Sequence, residues 1–231
     1  MALAKFLEGT AFGVLNDILS SFHSEDGGYA VPNRFEVIIT PHGVPAGGSS
    51  ESRKVSMRCE TVSLPGRNLN TLTDSNIYTD DIFGGIIDIG FDFDFYGNTY
   101  NQVVLASNNY LSFNTGNANG YCDWTINNAV PSNADPPMNA ILCPWQDIYP
   151  GVNGNGTIQY ATTGEAPNRV FIASFCGIPM FSCTDICYSS QIKLFETTNA
   201  IETHIAEKVL CSTWNGGAAI HALHNNNGTI A

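Results

Sequence analysis

The sequence is poor in basic residues. Nine Lys and Arg stand against 21 Asp and Glu, which gives a formal net charge of −12 at pH 7. Proteins bind phosphate backbones mainly through Lys and Arg, so this deficit argues against sequence-specific binding to nucleic acid. The charge is also uneven: residues 1–79 carry six basic and eight acidic side chains, whereas residues 80–231 carry three and thirteen. Such asymmetry is typical of two separate modules.

Long apolar runs are also missing. No window approaches the ~18 consecutive apolar residues that a membrane helix needs, so we expect no membrane span. At the N-terminus, Glu8 and Asp17 interrupt the apolar stretch, and no small-residue cleavage site follows it. We therefore expect that this stretch is not a signal peptide.

The common catalytic motifs are absent as well. The chain contains no GxSxG, HExxH or P-loop pattern and no GxGxxG after a strand. A pair of carboxylates that hydrolyses a glycoside is defined by a distance in space, and no pair stands out in the sequence. We expect a protein that is not an enzyme and needs no cofactor, with a carbohydrate-active enzyme as the third-ranked alternative.

What the chain does contain is a strongly alternating stretch from Ile87 to Phe95. Its odd positions are all apolar, which is the period of a strand with one buried face and one wet face. The wet face carries three aspartates: Asp88, Asp92 and Asp94. Turn residues then separate this stretch from two further apolar runs, 103–106 and 110–113. The meander predicts a mainly β fold with an antiparallel β-sandwich.

The segment FYGNTYNQVVLASNNYLSF (95–113) resembles the signature of a nidogen-like β-sandwich that is common in surface and gliding-associated proteins of Bacteroidota. The likeness spans about residues 82–229. It continues in order through CDWTI, NAILCPWQDIYP, APNRVFIASFCGIPMFSC, KLFETTNAIETHI and CSTWNGG. The resemblance implies that residues 80–231 form an extracellular display or adhesion unit, and it implies no catalytic residues.

The cysteines follow the same division of the chain. Six of them in a Gly- and Asn-rich β module are typical of disulfides and an oxidising environment. The candidates are Cys122, Cys143, Cys176, Cys183, Cys187 and Cys211. Their spacing does not choose among the pairings, but the resemblance favours Cys183 with Cys211, because both lie in matching segments. The lone Cys59 is interpreted as a small buried strand residue.

The N-terminal part has a different pattern. Residues 1–27 predict an amphipathic helix and a linker. The helix either packs on its own domain or docks on a neighbouring subunit. Residues 32–40 and 53–60 predict two strands joined by a long Gly/Pro/Ser loop, followed by an LPGR turn. The apolar stripe of the helix includes Leu7, Leu15 and Phe22. One face of the two strands carries Phe35, Val37, Ile39, Val55 and Met57, and the turn is Leu64, Pro65, Gly66 and Arg67.

The ordered segments PNRFEVII, KVSMRCETVSLPGRNLNT and DSNIY are similar to the opening of the tail tube protein of contractile-tailed phages, over about residues 28–78. The resemblance implies a β subunit that stacks in hexameric rings. The helix, strand and turn residues listed in the preceding paragraph, from Leu7 to Arg67, would then form an assembly interface. The departure is that the tail-tube-like segment, 28–79, runs directly into the second module. Half a tube fold has open strand edges. Either partner strands complete it, or the chain is a relative that no longer forms a tube.

Several residues are weighed as ligands. Asp80 and Asp81 could join the wet face of the strand in a calcium site. Alternate strand residues lie ~6.6 Å apart, however, too far to chelate one ion without loop ligands, so a solvated face is preferred. Asp147, beside a Gly/Asn loop, is the better single candidate for calcium, with a plain turn as the alternative. His221 and His224 are interpreted as alternating across a strand, not as zinc ligands.

The three tryptophans could act as sugar-stacking platforms. Each lies in a segment that carries the resemblance, so packing within the core is the preferred interpretation. They are Trp124, Trp145 and Trp214.

The leading hypothesis is a phage virion structural protein in the tail. Its N-terminal part would assemble with copies of itself and other tail proteins, and its sandwich would be displayed for decoration or for contact with a host glycan or protein. The alternative is a bacterial cell-surface adhesion or interaction module of the Bacteroidota type. A signal peptide upstream of Met1 and a sorting domain beyond Ala231 would distinguish the alternative.

Overall fold

The computed structural model describes residues 72–207 and 210–231. Its strands, in chain order, are β1 (Thr73–Asp74), β2 (Ile87–Phe95), β3 (Asn98–Ala106), β4 (Tyr110–Ser112), β5 (Ala140–Trp145), β6 (Thr157–Thr163), β7 (Val170–Met180), β8 (Cys183–Phe195), β9 (Ile201–Glu207) and β10 (Ile220–His224). Short 3₁₀ turns occupy Thr115–Asn117, Val152–Gly154 and Asn215–Gly217. Within these ranges there is no α-helix, and hence no helix with the length and hydropathy to cross a membrane.

The strands form two five-stranded antiparallel sheets. The first sheet has the order β1-β6-β7-β8-β9 and the second the order β10-β5-β4-β3-β2. The predicted mainly β sandwich is therefore confirmed. The predicted N-terminal helix, the hairpin with its interface residues from Leu7 to Arg67, and Cys59 lie outside the described residues and stay predictions.

Strand β2 confirms the alternation in the sequence. Its five odd-numbered residues are buried in the core between the sheets, and its even-numbered ones are exposed. The turn to β3 uses Tyr96 (φ 47°) and Gly97 (φ 78°), the two positive φ angles that a tight hairpin turn requires. Strand β3 then pairs with β4, which completes the predicted meander.

The centre of the second sheet is buried on both faces. Every residue of β4 and β5 is buried, as are the last four residues of β3. One face packs against the first sheet, and the other meets a second apolar cluster that includes Phe83, Tyr110 and Trp145. This double burial explains why the sequence 103–106 is continuously apolar instead of alternating.

Part of the edge of β2 is covered by side chains of the first sheet and its connections. Thr162 Oγ1 donates to the carbonyl of Ile89 (2.7 Å), the guanidinium of Arg169 donates to the carbonyl of Gly90, and the Asp94 N–H donates to Asn199 Oδ1 (3.0 Å). Arg169 is itself fixed by Glu196, whose Oε2 accepts from its Nε (2.8 Å). The backbone groups of this outer strand are thus partly occupied from within the molecule.

The sandwich begins before residue 80, where the sequence analysis placed the boundary between modules. Strand β1 pairs with β6, and Ile77 is 1% exposed within the main core. Residues 73–77 are therefore part of the sandwich, although the sequence analysis assigned them to the tail-tube-like segment.

Cys183 and Cys211 form a disulfide with a Cα–Cα distance of 6.0 Å, as the resemblance favoured. Cys176 is also disulfide-bonded, and Cys187 is exposed on β8. Cys122 and Cys143, which the sequence analysis included among the possible disulfide partners, are buried thiols instead. Burial raises the pKa of Cys122 to about 11 and that of Cys143 to about 12, which keeps both protonated and unreactive.

Candidate functional site

The turn from β3 to β4 is polar and yet fully buried. Asn108 Nδ2 donates to Asp81 Oδ1 (2.9 Å), and Asn108 Oδ1 accepts from the N–H of Ile148 (3.3 Å). Asn109, held at φ 64°, donates through Nδ2 to the carbonyl of Pro144 (2.9 Å). The turn therefore binds both the segment that precedes β2 and the segment that follows β5, and it brings them to one end of the sandwich.

Three aspartates meet where these two segments come together. We call Asp80, Asp81 and Asp147 the acidic cluster. One carboxylate oxygen from each lies within 4.8 Å of those of the other two. Asp80 and Asp81 are half-buried, whereas Asp147 is only 6% exposed.

Burial and mutual repulsion disfavour the charged form of these carboxyls. Burial, followed by repulsion from Asp147 and Asp81, raises the pKa of Asp80 to about 7. Burial raises the pKa of Asp147 to about 6, against the opposing hydrogen bond from Trp214. Burial likewise raises the pKa of Asp81. The ion pairs of the described chain lie elsewhere, on Glu196 and Glu202.

The two oxygens of Asp147 differ. Its Oδ2 accepts a hydrogen bond of 2.6 Å from Trp214 Nε1. Its Oδ1 is fully enclosed and has no hydrogen-bond partner in the part of the protein that is described. The side-chain amide of the preceding residue, Gln146, is 1% exposed and is likewise without a partner there. Buried polar atoms are nearly always paired, so these groups point to an interaction that the described residues do not supply.

A close backbone contact supports the cluster. A Cβ added to Gly151 would lie 2.2 Å from the carbonyl oxygen of Tyr78, two residues before Asp80, and Gly151 has φ +83°. Only glycine allows both this approach and this angle. The loop after β5 and the segment before β2 therefore lie directly against each other.

Four aromatic rings lie beside the cluster. We call them the aromatic ladder: Trp124, Trp214, Phe181 and Tyr149. Successive ring centroids are 5.4, 4.7 and 5.9 Å apart. All four rings are half-buried, and Trp214 joins the ladder to the acidic cluster through its bond to Asp147. Contiguous, partly exposed aromatic rings are a common feature of interaction surfaces.

The structure divides the residues that the sequence singled out. Asp147 joins Asp80 and Asp81, whereas Asp88, Asp92 and Asp94 stay on an exposed face, as the solvated interpretation predicted. Trp145 is fully buried, as predicted, but Trp124 and Trp214 are only half-buried.

His221 and His224 lie in β10, one exposed and one buried, in line with the predicted alternation. His224 accepts the N–H of Ser132 at Nε2 (3.3 Å), so its other nitrogen, Nδ1, donates to the carbonyl of Pro137 (2.9 Å). Its ring is thus engaged by backbone groups.

The sequence analysis missed Asn108, Gln146 and the second role of Trp214. The sequence analysis interpreted Asn108 as a turn residue and Trp214 as a core residue, and it singled out Asp147 but not the neighbouring Gln146. One feature of the sequence could have indicated the site: each of these residues is polar or aromatic and lies next to the end of a predicted strand. The assembled site offers carboxylate and amide oxygens, which are ligands for a hard cation, and a flat apolar surface beside them.

Comparison with known proteins matched one family model, described as "NIDO related", to residues 62–230. This range includes every described strand. No curated protein and no solved structure matched the chain significantly.

Proposed function

Because the chain belongs to the NIDO-related family, we propose that its sandwich is a cell-surface module that binds a partner molecule for adhesion. The single observation that carries the proposal is the family match, which spans the whole described sandwich. The disulfide between Cys183 and Cys211 supports an extracellular setting, because such bonds persist in oxidising compartments. We propose a binding role without catalysis.

We place the contact surface at the aromatic ladder. Rings that are half-buried keep a rigid apolar face available at little cost in conformational entropy, and Trp and Tyr dominate the energetics of many interfaces. Trp214 Nε1 donates a hydrogen bond to Asp147 Oδ2 (2.6 Å), which fixes the orientation of this ring before a partner binds.

The location is tested by antibody labelling of intact cells of the source organism, before and after permeabilisation. We expect labelling of intact cells and loss of the antigen when protease is added outside. Labelling that needs permeabilisation would contradict the proposal.

The contact surface is tested by retention of cells on wells coated with the purified chain. We expect Trp124→Ala to reduce retention several-fold, because it removes the outer ring of the ladder. Tyr96→Ala is the control, since Tyr96 is an exposed aromatic residue in the β2–β3 turn, outside the ladder. Equal retention by both variants would place the contact elsewhere.

The hypothesis of a phage tail protein depends on residues 28–78, of which the structure describes only 72–78. These described residues contribute β1 and Ile77 to the sandwich. The surface module is therefore the better-supported proposal, and the virion hypothesis keeps a direct test. Peptides of the chain in density-purified phage particles would support it against the surface role.

A further inference from the structure

We propose that the acidic cluster, Asp80, Asp81 and Asp147, is a calcium-binding site that fastens the segment before β2 to the loop after β5. The inference is independent of the proposed surface role, because it concerns the chain's own stability and not its partner.

The first observation is convergence. Asp81 and Asp147 are 66 positions apart in the sequence, and the oxygens of the three carboxylates nevertheless lie within 4.8 Å of one another. Oxygen ligands of one Ca²⁺ ion lie about 2.3–2.6 Å from it, so two of them are at most about 5 Å apart. The oxygens of the cluster satisfy this limit.

The second observation is the enclosed oxygen of Asp147. This side chain is 6% exposed, its Oδ2 is taken by Trp214, and its Oδ1 has no partner among the described residues. A buried carboxylate oxygen that belongs to a group of three carboxylates is the donor that a hard cation would use. By contrast, the exposed aspartates of β2 are separated along a strand and bond to neutral neighbours, as in the bond from Gln102 Nε2 to Asp88 Oδ1 (2.7 Å).

The donor set selects the metal. All three residues offer oxygen, whereas structural zinc is held mainly by Cys and His. Mg²⁺ requires near-ideal octahedral ligands at about 2.0–2.1 Å, and it usually keeps several waters. Three carboxylates supplied by a loop and an irregular segment suit the longer and more flexible coordination of Ca²⁺.

The ion would act as a structural fastener. Asp80 and Asp81 directly follow Tyr78, whose carbonyl oxygen abuts Gly151, and Asp147 receives the bond from Trp214. Binding of Ca²⁺ at this point would hold together the Tyr78–Asp81 segment, the loop after β5 and one ring of the aromatic ladder.

The test is thermal unfolding of the full chain at pH 7.5, in EDTA and across a Ca²⁺ titration, with calorimetry for the stoichiometry. We expect one ion per chain and a Tm that is higher by about 5–10 °C when free Ca²⁺ is about 100 times Kd. Asp147→Asn should weaken Ca²⁺ binding at least about tenfold, and Asp92→Asn should leave it unchanged. A wild-type chain that gives no heat and no change in Tm would overturn the proposal.

Two further measurements guard against a variant that fails to fold. Asp80→Asn alters a half-buried member of the cluster and should reduce Ca²⁺ binding while the circular dichroism spectrum is retained. Tb³⁺ should replace Ca²⁺ and emit when tryptophan is excited, because Trp214 bonds directly to Asp147. Trp214→Phe should lower that emission. Emission equal in wild type, Asp147→Asn and Trp214→Phe would place the ion elsewhere and overturn the assignment.

Discussion

Two groups of three aspartates lie within the same sandwich and have opposite environments. Those of β2 are exposed and regularly spaced, and Asp88 and Asp94 accept hydrogen bonds from Gln102 (2.7 Å) and Thr99 (2.5 Å) on the paired strand. Those of the acidic cluster are wholly or partly buried and converge from two separate segments. The cluster and the β2 face each contain three aspartates, but ionising a carboxyl group costs more free energy in the cluster.

The comparison teaches that local spacing does not identify a site. A strand holds its carboxylates apart and leaves them in water, which stabilises their charged form. A loop and an irregular segment can bring carboxylates together and bury them, which raises the pKa of Asp80 to about 7 and of Asp147 to about 6. Convergence and burial, not the number of acidic residues, distinguish the candidate site.

The largest loss of stability should come from a substitution that separates the two segments of the cluster. Gly151→Ala places a methyl group 2.2 Å from the carbonyl oxygen of Tyr78, so the backbone must shift. We expect a loss of about 4 kcal/mol in the free energy of unfolding. Gly154→Ala is a matched control: it has a similar φ (+70°) and open space around its Cβ, so only a strain of about 1–2 kcal/mol is expected. Equal losses in urea denaturation would refute the close contact.

The disulfide should come next, because it anchors the chain just before Trp214. Cys183 and Cys211 are 28 residues apart, and closing a loop of that size stabilises by about 3.6 kcal/mol through the unfolded state. The double variant Cys183→Ala/Cys211→Ala should lose that amount and should perturb the acidic cluster more than the β2 face. A midpoint equal to that of the parent in guanidinium would show that the bond contributes little.

A smaller change removes one hydrogen bond to the cluster. Trp214→Phe keeps a ring in the ladder but leaves Oδ2 of Asp147 without its donor. We expect a loss of about 1.5–3 kcal/mol, the range for a hydrogen bond to a charged group. Trp124→Phe keeps ring contact and should cost less. The urea midpoints of the two variants are compared. A lower midpoint for Trp124→Phe than for Trp214→Phe would contradict the expected role of the hydrogen bond.

Glu196 offers a carboxylate with the opposite shift. The hydrogen bonds from Arg169 lower its pKa from the ordinary 4.5 to about 2. Because the folded-state pKa is depressed, its stabilising effect is fully present above about pH 4.5 and is lost as the pH falls towards about 2. The stability difference between wild type and Glu196→Gln should therefore shrink across that window. A constant difference from pH 7 to pH 2 would contradict the pairing.

The smallest effect belongs to the exposed face. Asp92→Asn should change stability by less than about 0.5 kcal/mol, because the side chain is solvated. Its midpoint in urea, measured with that of Asp147→Asn in EDTA, compares the two groups of aspartates directly. A large change in stability for Asp92→Asn would mean that the Asp92 side chain makes a stabilising contact and is not merely solvated.

Much of the fold followed from periodicity. The alternation from Ile87 to Phe95 predicted β2 and its two faces, and the turn residues after it predicted the meander. The start of the sandwich was placed too late, because β1 is only two residues long and has no periodic pattern to detect. The helix and the hairpin of residues 1–60 stay predictions.

Half of the candidate site was visible in the sequence. Asp147 stood out because it adjoins a Gly/Asn loop, whereas Asp80 and Asp81 were considered only as partners of the β2 aspartates. Their meeting was not predictable, since it depends on the bonds that Asn108 makes to Asp81 and Ile148 across the sheet. Long-range pairing of this kind leaves no local period. The ring contacts of Trp214 were hidden for the same reason.

The partly covered edge of β2 has a consequence for crowded copies of the protein. A strand with free backbone groups is a template on which another chain can add, and this is how sheets grow into fibres. Here Thr162, Arg169 and Asn199 already occupy three of those groups, and the strand beneath them carries negative charge. We therefore expect that β2 does not readily pair with a strand of a neighbouring copy, even when copies are packed densely on one surface.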